Sequence, residues 1–147
     1  SVDCVVVLDN LEHVEDDEGA LREVRRVLRP GGVFLFTVPA FMALWRHHDV
    51  MYGHFRRYSK RGFAERVRRA GLVVEEHRFF KCAFFPPLLI MAKAERLLAR
   101  LVSPRDNFYS VPPWLNRLMR SEIVWEDRSG LTRVLPFGVS LICVGSR

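Results

Sequence analysis

Two apolar runs, Cys4-Val5-Val6-Val7-Leu8 and Val33-Phe34-Leu35-Phe36-Thr37-Val38, constrain this chain more than any other feature. The first shows no polar alternation and the second almost none, so each reads as a parallel strand buried on both faces. Between them Leu21, Val24, Val27 and Leu28 recur at helical spacing, with Glu15, Asp16, Asp17 and Glu18 ahead and arginines toward the end. That charge order suits the helix dipole. Pro30-Gly31-Gly32 stops the helix before the second run. Strand, helix and strand in this order form a βαβ unit, which returns to the same sheet by a right-handed crossover.

Beyond Pro39 an aromatic, histidine-rich loop reaches Tyr58. Ser59 is a candidate N-cap for a helix over Lys60 to Ala70, with Phe63 and Val67 facing inward and Gly71 at its end. Leu72 to Phe80 reads as a third strand. Pro86 and Pro87 open a helix running to about Val102, with Lys93, Arg96 and Arg100 on one face and Ile90, Ala94, Leu97, Leu98 and Leu101 on another. The pattern from Ser103 to Pro136 is poor, with a short helix expected over Trp114 to Trp125, and Phe137 to Val144 reads as a last strand. No repeat or low-complexity linker divides residues 1–147, so one domain is expected.

With 49% hydrophobic residues the chain can bury a core, which argues against disorder. The net charge of +6 raises the question of nucleic acid. The basic residues are scattered, however, over Arg22, Arg25, Arg26 and Arg29, then Arg56, Arg57, Lys60 and Arg61, then Arg66, Arg68 and Arg69. Solvated faces explain such scatter, and no nucleic-acid partner is expected. Cys4, Cys82 and Cys143 are odd in number and set among apolar residues, the pattern of buried reduced thiols in a cytoplasmic protein. Lys93, Glu95, Arg96 and Arg100 interrupt the longest apolar candidate, so no spanning segment is expected. The strand pattern starts within two residues of Ser1, without turn or cap, and reads as a cut end.

Three stretches carry a resemblance to a known family: Leu8-Asp9-Asn10-Leu11-Glu12-His13-Val14, then Leu21 to Gly32, then Phe63 to Gly71. Together they make Asp3 to Gly71 similar to the later half of class I S-adenosylmethionine-dependent methyltransferases, in the group that includes the ubiquinone-biosynthesis enzymes. The resemblance implies an incomplete α/β Rossmann-like fold, with strands four to seven of a seven-stranded sheet. It also implies that the glycine-rich turn near the methionine moiety and the acid that holds the ribose lie outside this chain, since no Gly-x-Gly-x-Gly follows a strand here. Gly31-Gly32 ends a helix, whereas the cofactor turn begins one.

Asp9, Asn10, Glu12 and His13 follow the carboxyl end of a strand, where open α/β sheets place ligands. The resemblance implies cofactor contacts from Asp9, Asn10 and Leu11, and a substrate mouth near Glu12 and His13. The alternative is that Glu12 and His13 merely begin and cap a helix. The spacing of Asp9, Glu12 and His13 is also similar to the metal-binding Glu-x-x-Glu-His of some small-RNA and quinone O-methyltransferases, with His54 a further ligand and Asp replacing the first Glu. Trp45 to Asp49 and Gly53 to Tyr58 resemble a subgroup with Leu-Trp, His-Asp, Gly-His and Arg-Arg-Tyr in this order. On chemical grounds His48 or His54 would take a proton from a hydroxyl nucleophile, Asp49 would orient the imidazole, Arg57 would hold a carboxylate or phosphate, and Trp45 and Tyr58 would also face substrate. The alternative is that these groups bond one another to pin a long loop.

Phe79, Phe80, Phe84 and Phe85 lead into the helix after Pro86, and residues 81–136 are expected to form a lid or insertion. Such a lid would admit a lipid-linked acceptor or contact an anionic bilayer; a core helix with a solvated basic face is the alternative. The expected function is S-adenosylmethionine-dependent methyl transfer to a small-molecule or lipid-linked acceptor, with oxygen favoured, the chain alone being an inactive fragment. The competing reading is a non-catalytic methyltransferase-like binding or assembly module. An uncovered strand at Cys4 to Leu8 would make the chain self-associate.

Overall fold

The computed structural model describes residues 1–98 and 112–147, apart from the side chain of Leu115. Strand β1 (Val2–Leu8) pairs in parallel with β2 (Leu28–Pro39), and helix α1 (Asp17–Val27) makes the crossover. The register jumps between Val2 and Cys4, where the backbone of β2 absorbs Pro30-Gly31-Gly32. The strand therefore begins at Leu28, before the expected Val33. Asp16 caps α1 by accepting from the Gly19 amide at 2.8 Å, as its place ahead of the apolar spacing requires.

Helix α3 (Lys60–Arg69) follows the loop and runs into β3 (Val73–Phe80). Ser59 caps α3, and Phe63 and Val67 are buried, as their spacing implies. The last strand, β4 (Ser140–Ser146), lies between β2 and β3 and is antiparallel to both, giving the order β1-β2-β4-β3. At Gly145 a β-carbon would collide with the Val73 carbonyl and the Phe34 ring, so this close approach requires glycine.

Phe34, Phe36, Val38, Phe79, Leu141 and Cys143 line one face of the sheet and form the core with Leu21, Phe63 and Val67 of the covering helices. The expectation of burial on both faces fails at β1. Val5 and Val7 pack on the core, but Val6 is 54% and Leu8 56% exposed, because the strand is an edge and its other face has no described cover. Cys4 is exposed for the same reason, whereas Cys82 and Cys143 are buried as expected.

Helix α4 (Phe85–Leu98) also departs from its reading. Only Ala92 is buried along it, and Ile90, Leu97 and Leu98 of the expected apolar face are exposed. Arg100, Leu101 and Val102 lie outside the described residues. A longer helix than expected, α5 (Pro113–Ser129), and a short one, α6 (Leu131–Val134), return the chain to the sheet, where Arg78 bonds Asp127 and Thr132. Among the described residues no helix is long and apolar enough to cross a membrane.

Candidate functional site

Strands β1, β2 and β3 point the same way, and each leaves the sheet at its carboxyl end through a non-glycine residue with positive φ. These are Asp9 at 45°, Phe41 at 56° and Lys81 at 58°. Such conformations cost about 1–3 kcal/mol each and persist where surrounding contacts enforce them. At Asp9 the backbone amide donates to the Thr37 carbonyl and hydroxyl, both at 3.0 Å, and that hydroxyl donates to the Asp9 carboxylate at 3.1 Å. Phe41 stacks on Phe79 with ring centres 5.0 Å apart.

The loop after β2 is closed at its base by the bridge between Ala40 and Tyr58 and holds a 3₁₀ turn (Met42–Leu44) and helix α2 (His47–Met51). At its centre Asp49 is fully buried. The Arg57 guanidinium donates to it from Nε at 2.8 Å and Nη2 at 3.1 Å, the Arg46 amide at 2.9 Å, and His54 Nδ1 lies 2.8 Å away. Burial alone would raise the Asp49 pKa, but the bonds from Arg57 and the Arg46 amide outweigh it and hold the carboxyl below its ordinary range. An ionised carboxylate only accepts, so the proton of a neutral His54 ring sits on Nδ1 and the lone pair on Nε2.

His54 meets the first loop, the 3₁₀ turn Leu11–His13 that follows β1. The Phe55 amide donates to the Glu12 carbonyl at 2.7 Å, and the His13 and His54 rings meet edge-on with centres 4.6 Å apart. Glu12 is 1% exposed and its Oε2 has no hydrogen-bond partner. Burial, with Asp9 adding to it, pushes the Glu12 carboxyl up, although His54 and His13 oppose the shift. One ligand atom from each of Glu12, His13 and His54 lies within 4.8 Å of the others.

The sequence-derived candidates thus separate. Glu12, His13, Asp49 and His54 converge. Asp9 and Asn10 stand at the exposed end of β1, and the Asp9 carboxylate is not in the three-residue cluster. Leu11 packs in the core, leaving its backbone as the part a ligand would meet. Tyr58 is buried and its hydroxyl donates to the Leu11 carbonyl at 3.2 Å and Asp17 at 2.9 Å, so it braces the two loops rather than facing substrate. Burial and the Asp17 bond push its pKa up. Arg57 is committed to Asp49 and the Ala40 carbonyl, not to an incoming anion. His48 is exposed and tilted against Tyr52 at 4.4 Å, and the residue that meets Asp49 is His54. Partial desolvation of its ring by neighbouring atoms lowers the His48 pKa despite the nearby Asp49 charge.

Trp45 is half-buried, and its carbonyl accepts from Arg96 of α4 at 3.3 Å. Arg96 also caps the Met42 and Ala43 carbonyls, while Arg46 donates to Glu95 at 2.8 Å. Sequence reading missed Glu95 and Asp17. Asp17 pairs with Arg56 at 2.8 Å and Arg66 at 2.9 Å as well as Tyr58. An acid in the first helical turn reads as a dipole partner, and its distant arginines carry no local signal.

Strand ends that open on one edge, with strained exits and convergent polar groups, define a Rossmann-like α/β protein, a fold class in which ligands bind at the carboxyl ends of the strands. The methyltransferase domain profile matches residues 1–77, and the chain belongs to that family. A probable S-adenosylmethionine-dependent methyltransferase of Mycolicibacterium smegmatis is 36% identical over 78 residues, covering 52% of this chain and 30% of that protein. The chain thus spans about a third of the length of the curated relative it matches.

Among solved structures, an S-adenosylmethionine-dependent methyltransferase of Mesorhizobium loti has a TM-score of 0.55 at 16% identity, over 100% of this chain and 62% of that one. Phosphoethanolamine N-methyltransferase 2 of Haemonchus contortus, in complex with S-adenosyl-L-methionine, has a TM-score of 0.51 at 15% identity, over 100% of this chain and 33% of that one. These likenesses show the Rossmann-like methyltransferase fold.

Proposed function

We propose that this chain forms the later half of a class I methyltransferase domain that moves a methyl group from S-adenosylmethionine to a hydroxyl of a small-molecule or lipid-linked acceptor, with His54 as the base. The observation that carries the reading is the buried Asp49 carboxylate 2.8 Å from His54 Nδ1, which leaves Nε2 as the proton acceptor of a histidine that clusters with Glu12 and His13. Methyl transfer from a sulfonium needs in-line placement of the nucleophile, plus a base where the nucleophile carries a proton. Asp9 and Asn10, at the end of β1, would meet the cofactor's methionine end, and the remaining cofactor contacts would come from strands pairing with the open edge of β1. Family membership and the named relative support the cofactor assignment. The motif from Leu8 to Val14 supports a relation to the ubiquinone-biosynthesis-like group. Residues 81–136 would cover the acceptor, a role supported by the bonds from Glu95 and Arg96 to the loop after β2.

A second reading rests on the orphaned Glu12 oxygen. Glu12, His13 and His54 offer one carboxylate and two imidazoles, a donor set that fits a divalent cation, and Asp49 would then orient His54 as an outer-shell partner. A bound cation would polarise the acceptor oxygen.

Labelled cofactor and hydroxylated acceptors, assayed with the full-length protein, test both readings. His54→Ala is expected to lower kcat by roughly 10²–10⁴-fold. Under the first reading the rate is indifferent to chelator; under the second, chelator abolishes turnover and manganese restores it. A full rate in His54→Ala sinks both, and failure to bind S-adenosylhomocysteine turns the domain into a non-catalytic binding module.

A further inference from the structure

The outward face of α5 is unusual for a helix in water. Its three acids are drawn away from solvent or paired: Glu126 is buried and accepts from the Ala83 amide at 2.8 Å, Glu122 has buried carboxylate oxygens, and Asp127 pairs with Arg78 at 2.9 Å. The opposite side, at helical spacing, presents Trp114, Arg117, Leu118, Val124, Trp125 and Arg128, all exposed, with Arg120 beside them. Trp114 is 68% and Trp125 60% exposed. Arg117, Arg120 and Arg128 have no ion-pair partner among the described residues.

We propose that α5 is a docking face for an anionic phospholipid bilayer. Tryptophans settle at headgroup depth, aliphatic side chains just below, and arginines on lipid phosphates, so one face holding all three matches the layered polarity of a membrane surface. The two tryptophans are eleven residues apart on the helix, about 16 Å along the axis, so both reach the interface only if α5 lies in its plane.

Charge complementarity separates this occupant from others. A second copy related by a two-fold axis along this face would set arginines against arginines, and the nearest exposed carboxylate, Asp127, is already paired with Arg78. A single nucleic-acid strand needs a basic groove following its backbone, whereas aliphatic Leu118 and Val124 lie among the aromatic residues here. On α4, where a basic docking face was also expected, Arg96 is engaged with loop carbonyls, Lys93 is exposed and Arg100 lies outside the described residues. The proposal stands apart from the catalytic reading, and its test needs neither cofactor nor acceptor.

Flotation with vesicles of phosphatidylcholine, alone or mixed with phosphatidylglycerol, tests it on the full chain. The wild type is expected to partition onto the mixed vesicles only, less so at high salt, with a blue shift of tryptophan emission. Replacing Arg117, Arg120 and Arg128 together by glutamine is expected to reduce the partition coefficient roughly a hundredfold, with the circular dichroism spectrum unchanged. Brominated phosphatidylglycerol provides a readout independent of that variant's folding: it should quench wild-type emission, and Trp114→Phe with Trp125→Phe should remove the quenching. Absence of partitioning, equal binding to both vesicles, full retention by the glutamine variant, or partitioning without quenching each overturns the proposal. Displacement from vesicles by a single-stranded oligonucleotide that binds the same arginines would also overturn it, in favour of nucleic acid.

Discussion

Asp49 combines complete burial with four hydrogen-bond partners, three of them side-chain nitrogens of Arg57 and His54. Removing one partner of a buried ion pair leaves the other charge uncompensated, so Asp49→Ala is expected to lower stability by about 3–5 kcal/mol in urea unfolding. Because its folded pKa is depressed, the Asp49 contribution is fully present above the ordinary carboxylate range, near pH 4, and is lost as pH falls through the folded value. Acid melts of wild type and Asp49→Asn should converge only below the depressed folded value. Glu12, His13, Asp49 and His54 were legible from residue type and position after strand ends. The internal use of Arg57 and Tyr58 was not, because spacing along the chain says nothing about where a long side chain finds its partner. Both belong to the loop-pinning alternative, so the same stretch supplies a convergent cluster and the scaffold that fixes it.

Helix α5 is tied to the rest of the molecule by Glu126, which accepts from the Ala83 amide, and by Asp127, which pairs with Arg78, while the buried Glu122 carboxylate beside Glu126 has no hydrogen-bond partner among the described residues. Glu122 is pushed up to about 7 by burial and by its neighbour Glu126, which shares its side of the helix. A raised carboxyl contributes stability that is fully present below the unfolded value, near pH 4.3, and is lost as pH rises through about 7. Hydrogen exchange across α5 should therefore speed up from pH 6 to pH 8 beyond the intrinsic chemical change, and Glu122→Gln should remove the excess; an unchanged excess would sink this account. Elements with strong periodicity, α1 and α3, were legible to within a few residues, and so was the βαβ unit. The orientation of α4 was not. Its apolar letters suggested a buried face, but Glu95 and Arg96 fasten it to the neighbouring loop and leave Ile90 and Leu97 outside. Two polar anchors there outweigh what periodicity implies.

At the scale of the molecule, the sheet is covered on one face by α1 and α3, while β1 presents an open edge with Val6 and Leu8 exposed on the opposite face. An unpaired, apolar edge recruits other strands. We expect this chain to self-associate through β1, with Val6→Lys weakening the dimer about tenfold, or 1.4 kcal/mol, in sedimentation equilibrium; an equally tight dimer in that variant would move the contact elsewhere. The fold class was legible because two apolar runs around an amphipathic helix admit few arrangements. The exposure of β1 followed from topology, since a continuous apolar run looks the same whether one face is covered or two.

The 2.7 Å bond from the Phe55 amide to the Glu12 carbonyl, with Tyr58 reaching Leu11 and Asp17, makes the turn after β1 and the loop after β2 a single mechanical body. Whatever binds one of them must work against the stiffness of both. Were ligands to bind both at the end of β1 and beside His54, any coupling carried by this brace would act reciprocally, each altering the other's affinity by the same factor. The order in which two ligands arrive would leave that factor unchanged, and the loops would serve as its common lever.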